Sequence, residues 1–373
     1  MNPVQAAVIG VGSTAIERKS SRSIVSFAMD AAVAALADAG VGRADIDGYV
    51  GAPTSTTAGA PHADGGDEIS VRLLTEALGL NGLRWGVDMA GDFMTSMITL
   101  ASQAIASGSC TTVLAVRALH NLIGIAKPKD TRTLALGAEQ FEAPFGLRTG
   151  GVRFALRAQE YLARSGATRR DVYEIIALSR ANARDNPIAI WRDRAVSLDE
   201  YLEAPMIAEP HGLFDCDMPV CGAVALVITR AELAREGPHP PVYVAGSAGW
   251  QRPLDVFERS GRSREDVQLC QLYDGFSTMP FEWLERLGWC DPGTGWRFIS
   301  DGHAARGGRL PINTFGGSLG EGRLHGAGHV REAILQLSDR AGRRQVPDAR
   351  NCLIQVGPFD FSSLLMLSRE PAS

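Results

Sequence analysis

Apolar side chains recur at helical spacing through Met94, Met97, Ile98, Ala101, Ala104 and Ile105, and Gly108 is a suitable stop. The stretch around them holds almost no charge and no proline, which predicts a helix from about Gly91 to Ser107. At about 25 Å and nearly apolar all round, it belongs in the middle of a large protein. Thr112–Val116 follows as a buried strand. A glycine at the mouth of such a helix admits another group close to the backbone, and the free N–H groups of the first turn can hold an anion. A strand-to-helix elbow would place a nucleophile there. This chain has Gly91 instead.

The rest of the pattern alternates strands and helices. Ala6–Gly12 reads as a buried strand, but the glycine-started helix and acidic strand end of a dinucleotide site do not follow it. Ser26–Ala39 is an alanine-rich helix ended by Gly40, Ile46–Gly51 a strand, and Pro53–Gly66 a turn-rich loop. Asp67–Leu78 is helical and Arg84–Met89 a strand. Between Asn121 and Gly151 the periodicity fails, marking a covering or interface excursion. Helices resume at Val152–Ser165 and Arg170–Asn186.

Val242–Gly246 resembles Ala7–Val11 and opens a second half. In it Leu254–Ser260 is a helix or turn, Val267–Leu272 a strand, Pro280–Leu287 a helix and Gly328–Ala341 a long helix. Asn351–Gly357 and Ser362–Leu367 form a closing hairpin. The expected organisation is an internal duplication. Residues 1–239 form one α/β half with an inserted region at about 119–210, and residues 240–373 form the other.

Composition narrows the partners. The 373 residues are 45% hydrophobic and 21% charged, ordinary for a globular protein. A net charge of −5 argues against nucleic acid or an anionic membrane surface as the main partner. No run approaches the roughly 18 apolar residues of a membrane span, and the start lacks signal-peptide features, so a cytoplasmic location is expected. Six cysteines are scattered without a Cys-x-x-Cys pair and read as reduced thiols, with no metal site.

Six ordered pieces resemble one family: the Gly91–Gly108 helix, Ser179–Pro187, Cys221–Glu232, Tyr273–Ser277, Asn313–Gly317 and Gly322–His329. Together they resemble the thiolase superfamily, in its sterol-carrier-protein thiolase branch, over essentially the whole chain. The resemblance implies an α/β thiolase-like fold, duplicated into five αβαβα layers and assembled as a homodimer.

The family's catalytic groups are replaced. The acylated cysteine falls on Gly91, and the family's His-Asp-Cys-Phe reads Tyr273-Asp274-Gly275-Phe276. The histidine of its glycine-rich loop falls on Arg323, with His325 two residues later, and Val356–Phe361 supplies no cysteine. A ping-pong acyl transfer needs a thiolate and a second acid–base group. Neither stands at a matching position. Cysteine-less members of this kind resemble the steroid side-chain-cleaving aldolases, which split a β-hydroxyacyl-CoA by retro-aldol chemistry with a small OB-fold, zinc-ribbon partner. That implies an acyl-CoA substrate, no cofactor beyond the coenzyme A of the substrate, and a heterotetramer with the partner.

Retro-aldol cleavage requires a base for the β-hydroxyl and donors for the thioester enolate, without an acyl-enzyme. Tyr273 is the candidate acid–base group, with Arg323 as the cation that would lower its phenol. His325 is a candidate proton carrier or enolate donor, and Asn313 could hold an oxyanion-hole water. Gly91, Asp92, Gly316 and Gly317 are candidate substrate-binding positions. Asp274 reads as a helix cap, His329 as a helix-start residue and His211 as structural. Two alternatives stay open: a catalytically silent acyl-CoA-binding or scaffold subunit, and an acyltransferase with an unusual nucleophile, for which nothing near Cys110 or Cys270 supplies activation.

Overall fold

The computed structural model describes residues 5–52, 69–89, 93–120, 137, 139–147, 150–234 and 237–371. The loop expected at Pro53–Gly66, much of the excursion after Asn121, and both Gly91 and Asp92 lie outside the described residues.

The strands are β1 Ala6–Ser13, β2 Gly48–Gly51, β3 Trp85–Asp88, β4 Thr112–Leu119, β5 Met206–Ala208, β6 His211–Gly212, β7 Gly222–Arg230, β8 Val242–Gly249, β9 Leu269–Leu272, β10 Asn351–Val356 and β11 Ser363–Ser368. Nine of them form one mixed sheet in the order β3-β2-β4-β7-β1-β8-β11-β10-β9, and β5 pairs with β6 alone. The segment Gly222–Arg230, met in the sequence only as a motif, is an inner strand. It pairs antiparallel with both β1 and β4.

The helices are α1 Ile24–Ala39, α2 Val71–Leu78, α3 Met94–Ala106, α4 Glu139–Glu142, α5 Gly150–Ser165, α6 Arg169–Ala183, α7 Leu198–Glu203, α8 Asp255–Ser260, α9 Met279–Arg286, α10 Gly295–Ser300, α11 Gly317–Glu321 and α12 Ala327–Leu337. Local chemistry sets their ends. The Ser23 hydroxyl accepts the Ser26 N–H at 3.1 Å to start α1, and Gly40 closes it in a left-handed conformation.

Packing arranges these elements in layers. Helix α1 lies on β1, β4 and β7, while α8 lies on β8 and β11. Helices α3 and α12 touch each other and reach strands from both ends of the sheet order. The fold is the α/β thiolase-like one that the sequence suggested. One expectation changes: α3 is not buried all round. Met94, Met97, Ile98, Ala101 and Ile105 are fully enclosed, but Gln103 and Ala106 are exposed. Its polar residues recur every three or four positions, so one stripe stays open. Helix α12 ends at Leu337, four residues before the expected Ala341.

Among the described residues no helix is long and apolar enough to cross a membrane. Nor do they contain a group of three or more His, Cys, Asp or Glu side chains able to hold a metal ion.

Candidate active site

The site forms where β9 ends, because Tyr273 and Asp274 follow Leu272 directly and are held from three sides. The Tyr273 N–H donates to the Gln355 carbonyl at 3.0 Å, which fixes it against β10. Asp274 is buried, and its carboxylate accepts the N–H groups of Ser318 at 2.7 Å and Leu319 at 3.3 Å. It therefore caps α11, not the helix next in sequence. His329 Nε2 lies 3.0 Å from Asp274 Oδ1 and 3.2 Å from the Leu272 carbonyl. Both neighbours are acceptors, so that nitrogen bears the proton. His329 stands in the first turn of α12, as expected, and ties it to β9.

Two of the proposed site residues have left-handed backbones without being glycine: Asn313 at φ 46° and His325 at φ 47°. Such conformations are uncommon outside glycine and persist where the surroundings hold them. Asn313 is held by a two-point clamp. Its Nδ2 donates to the Leu272 carbonyl at 2.7 Å and its Oδ1 accepts the Leu272 N–H at 2.8 Å. The amide faces β9, so the geometry places it in a supporting position and not over an oxyanion.

Gly316 and Gly317 are likewise close-packed. A Cβ on Gly317 would lie 2.0 Å from Asp274 Oδ2, and one on Gly316 would lie 2.8 Å from the Ala183 Cβ. The groups that approach these backbones are protein side chains. That differs from the substrate-facing role expected of them.

Tyr273, Arg323 and His325 are brought together. The Phe93 ring, at the mouth of α3, lies 6.3 Å from the Tyr273 ring and 6.5 Å from the His325 ring. Both therefore gather at the end of the helix that the sequence pattern singled out. His325 Nδ1 lies 3.1 Å from Arg117 Nη2, a guanidinium rising from β4. A guanidinium can only donate, so Nδ1 is the acceptor and the proton sits on Nε2. Burial, then the cations of Arg117 and Arg323, hold the His325 pKa far below the ordinary histidine value. His325 is thus a neutral donor at Nε2.

Asp217 completes the group and had escaped the sequence reading. Its N–H donates to the Gly275 carbonyl at 3.1 Å, and Arg323 Nη1 stands 3.5 Å from its Oδ1. Oδ2 is buried without a hydrogen-bond partner among the described residues. Burial raises the Asp217 carboxyl to about 7, against the opposing Arg323 charge and with Asp274 adding to the rise. Its only sequence signal was an acid set between Cys216 and Met218. Burial, followed by the charge of Asp217, also pushes the Tyr273 phenol above its usual value, outweighing Arg323. The expected lowering by Arg323 is present but smaller, and Tyr273 is a protonated phenol at neutral pH.

The chain is not cysteine-less, since it has six cysteines, and none of the six is in a disulfide. None is activated. Burial raises Cys110 and Cys290 to about 11 and Cys216, beside Asp217, to about 12. Cys270 and Cys352 are raised further by the same cause.

Fold and site together define a thiolase-fold protein whose acid–base group contains no thiolate. Comparison with known proteins narrows the class. A family model described as "Thiolase C-terminal domain-like" matches residues 252–366. The chain is 33% identical, over an alignment of 364 positions that covers 89% of its length and 91% of the relative's, to the 17-hydroxy-3-oxo-4-pregnene-20-carboxyl-CoA lyase of Mycobacterium tuberculosis. It is 32% identical to the steroid side-chain-cleaving aldolase of Thermomonospora curvata, covering 99% of both chains. The solved structure of the Ltp2-ChsH2(DUF35) aldolase matches with a TM-score of 0.86 and 29% identity over 98% of each chain. The chain belongs to the thiolase superfamily, in the group of the steroid side-chain-cleaving aldolases.

Proposed function

We propose that this protein is a carbon–carbon lyase that cleaves a β-hydroxyacyl-CoA thioester by a retro-aldol reaction. The observation that carries the reading is the cluster of Asp217, Tyr273, Arg323 and the neutral His325 at the mouth of α3, in place of a thiolate. The β-hydroxyl proton leaves to the Asp217 carboxylate, directly or through the Tyr273 phenol. The bond between the α and β carbons breaks as the β carbon becomes a ketone or aldehyde. Its electron pair forms the thioester enolate, which is protonated at the α carbon to release the shortened acyl-CoA. The His325 Nε2–H serves as a donor to the enolate oxygen, and the Arg323 and Arg117 charges favour its development. Asn313 and Asp274 are positioning residues, holding the strand end and α11.

The names of the relatives support a steroid-derived acyl group, and the matching Ltp2-ChsH2(DUF35) structure supports a DUF35-type partner, which in this reading is the OB-fold, zinc-ribbon protein that the family resemblance implies. A homodimer that takes up two partner chains as a heterotetramer, a cytoplasmic location, no cofactor beyond the substrate's coenzyme A, and two halves meeting at residues 239 and 240 belong to the same reading. Gly91 and Asp92 remain part of it as proposed substrate-binding positions.

The test is release of a ketone from a steroid β-hydroxyacyl-CoA by the protein with its partner. Tyr273→Phe keeps the ring but removes the hydroxyl, so turnover should fall by roughly 10²–10⁴ with an unchanged melting temperature. Wild-type-like cleavage by that variant would remove Tyr273 from the chemistry. Failure of the wild type on a panel of such thioesters would favour a silent subunit.

A further inference from the structure

Helix α6 has two working faces. One supports the active-site loop: Ser179 Oγ donates to the Gly316 carbonyl, Asn182 Nδ2 to the Asn313 carbonyl at 3.1 Å, and Asn186, just beyond the helix, to the Phe315 carbonyl at 3.0 Å. A different face presents Tyr173, Ala177, Arg180, Ala181 and Arg184 to a cavity of about 400 Å³, whose opposite wall is the segment Arg192–Val196. Four guanidinium groups line it against a single carboxylate, Asp193.

Arg180 makes this more than a surface cluster. It is only 6% exposed, and its Nε and Nη1 are buried with no hydrogen-bond partner among the described residues. Its guanidinium lies 4.3 Å from the Trp191 ring centroid, which satisfies its face but not its N–H donors. The nearby Glu200 is already paired with Arg194. Nε and Nη1 have no accessible surface, so an anion in the cavity would meet the charge of Arg180 and not those two donors, and a buried cation is unfavourable without such a counter-charge. Arg184, Arg192 and Arg194 stand exposed around the same space.

We infer that this cavity binds a phosphate group carried on a small organic molecule. Planar guanidinium forks match phosphate oxygens two at a time, and four of them suit a multiply charged anion better than a single carboxylate. The volume falls in the range of small-molecule pockets and exceeds what a bare ion needs. The apolar floor of Ala177 and Ala181 beside the Tyr173 ring would lie against the uncharged part of the ligand. Two sources share this chemistry: the phosphate end of the coenzyme A substrate, which rests on the function proposed above, and a separate phosphorylated metabolite.

Calorimetric titration separates them, with coenzyme A, dephospho-coenzyme A, adenosine 3′,5′-bisphosphate and inorganic pyrophosphate as probes. Arg184→Ala/Arg192→Ala changes exposed residues only, and Arg180→Met removes the buried charge while keeping the stem. Each should weaken binding of at least one phosphate-bearing probe by roughly 10- to 100-fold, the loss expected for charge-assisted hydrogen bonds. If the preference for coenzyme A over its dephospho form disappears in the variants, the substrate is the source. If pyrophosphate or the bisphosphate is lost while coenzyme A binding and cleavage are unchanged, the ligand is a separate one. If no probe's affinity responds to either variant, the inference fails. Cleavage by the unaltered protein is measured independently, so that failure leaves the lyase reading intact, and absence of cleavage leaves the anion site intact.

Discussion

The ring of Tyr273 occupies the space that a side chain at Gly275 would need: a Cβ on Gly275 would lie 2.8 Å from both Cε1 and the hydroxyl oxygen of Tyr273. Real Cβ atoms do not approach other atoms so closely, so the ring must shift to admit one. The two departures from the family's His-Asp-Cys-Phe pattern are therefore one change: the larger aromatic side chain requires the loss of the thiol-bearing one. Gly275→Ala should lower turnover by about 10²-fold, the scale of an ångström's misplacement of a reacting group. In a Tyr273→Phe background the same substitution should cost much less, since the hydroxyl it displaces is already gone. Additive losses, measured as turnover in the four-member cycle, would contradict the linkage.

Asp217 should impose a pH dependence on both activity and stability. Acting as the base, it must be ionised, so turnover rises with pH through about 7 and levels off above it. Asp217→Asn should abolish that rise along with most of the activity. For stability the sign is reversed. The folded pKa lies above the unfolded one, so the native state holds the extra proton between about 4 and about 7 and loses stability as pH increases across that window. Asp217→Asn should therefore raise the melting temperature at pH 8 and leave it nearly unchanged at pH 4. A lower melting temperature at pH 8 would show that the pairing with Arg323 outweighs the cost of burial.

His325 should leave no mark near pH 6.5. Its Nδ1 is occupied by Arg117, and its protonation is disfavoured by burial and by two cations, so it stays neutral over the working range. His325→Ala should reduce turnover by about 10²–10³, as for loss of one oxyanion donor, without shifting the rise assigned to Asp217. A histidine-like limb in the wild-type pH profile that vanishes in the variant would instead identify His325 as the proton carrier.

Much of the architecture was visible in the sequence because it rests on local signals. Gly40 ends α1 where the alanine-rich run stops, and the alternation of strands and helices anticipated eight of the nine strands of the large sheet. Tyr273, Arg323 and His325 were singled out because they stand where familiar motifs are altered. Asp217 was not, because its effect comes from Gly275 and Arg323, 58 and 106 residues away in the chain, and from burial that periodicity does not report. The same reason hid the true neighbours of Gly317 and Asn313. A glycine-rich stretch looks alike whether its backbone faces a ligand or an aspartate just beyond a strand end.

Asn313 offers the sharpest separation between a supporting role and a chemical one. Its amide makes two hydrogen bonds to the backbone of Leu272, the residue immediately before Tyr273, and its backbone sits at φ 46°. Asn313→Gly tolerates that backbone but removes both bonds, while Asn313→Ala also meets the steric cost of the left-handed conformation. A clamp predicts losses of about 1–3 kcal/mol for the glycine variant and more for alanine, from unpaired buried groups on Leu272. Turnover should then fall in the same order as stability, because a loosened β9 end misplaces the phenol. If Asn313 instead held a water against the enolate, the glycine and alanine variants would lose turnover equally, with the glycine variant's melting temperature close to that of the wild type. Melting curves and turnover for both variants, measured side by side with the partner protein present, decide between these roles.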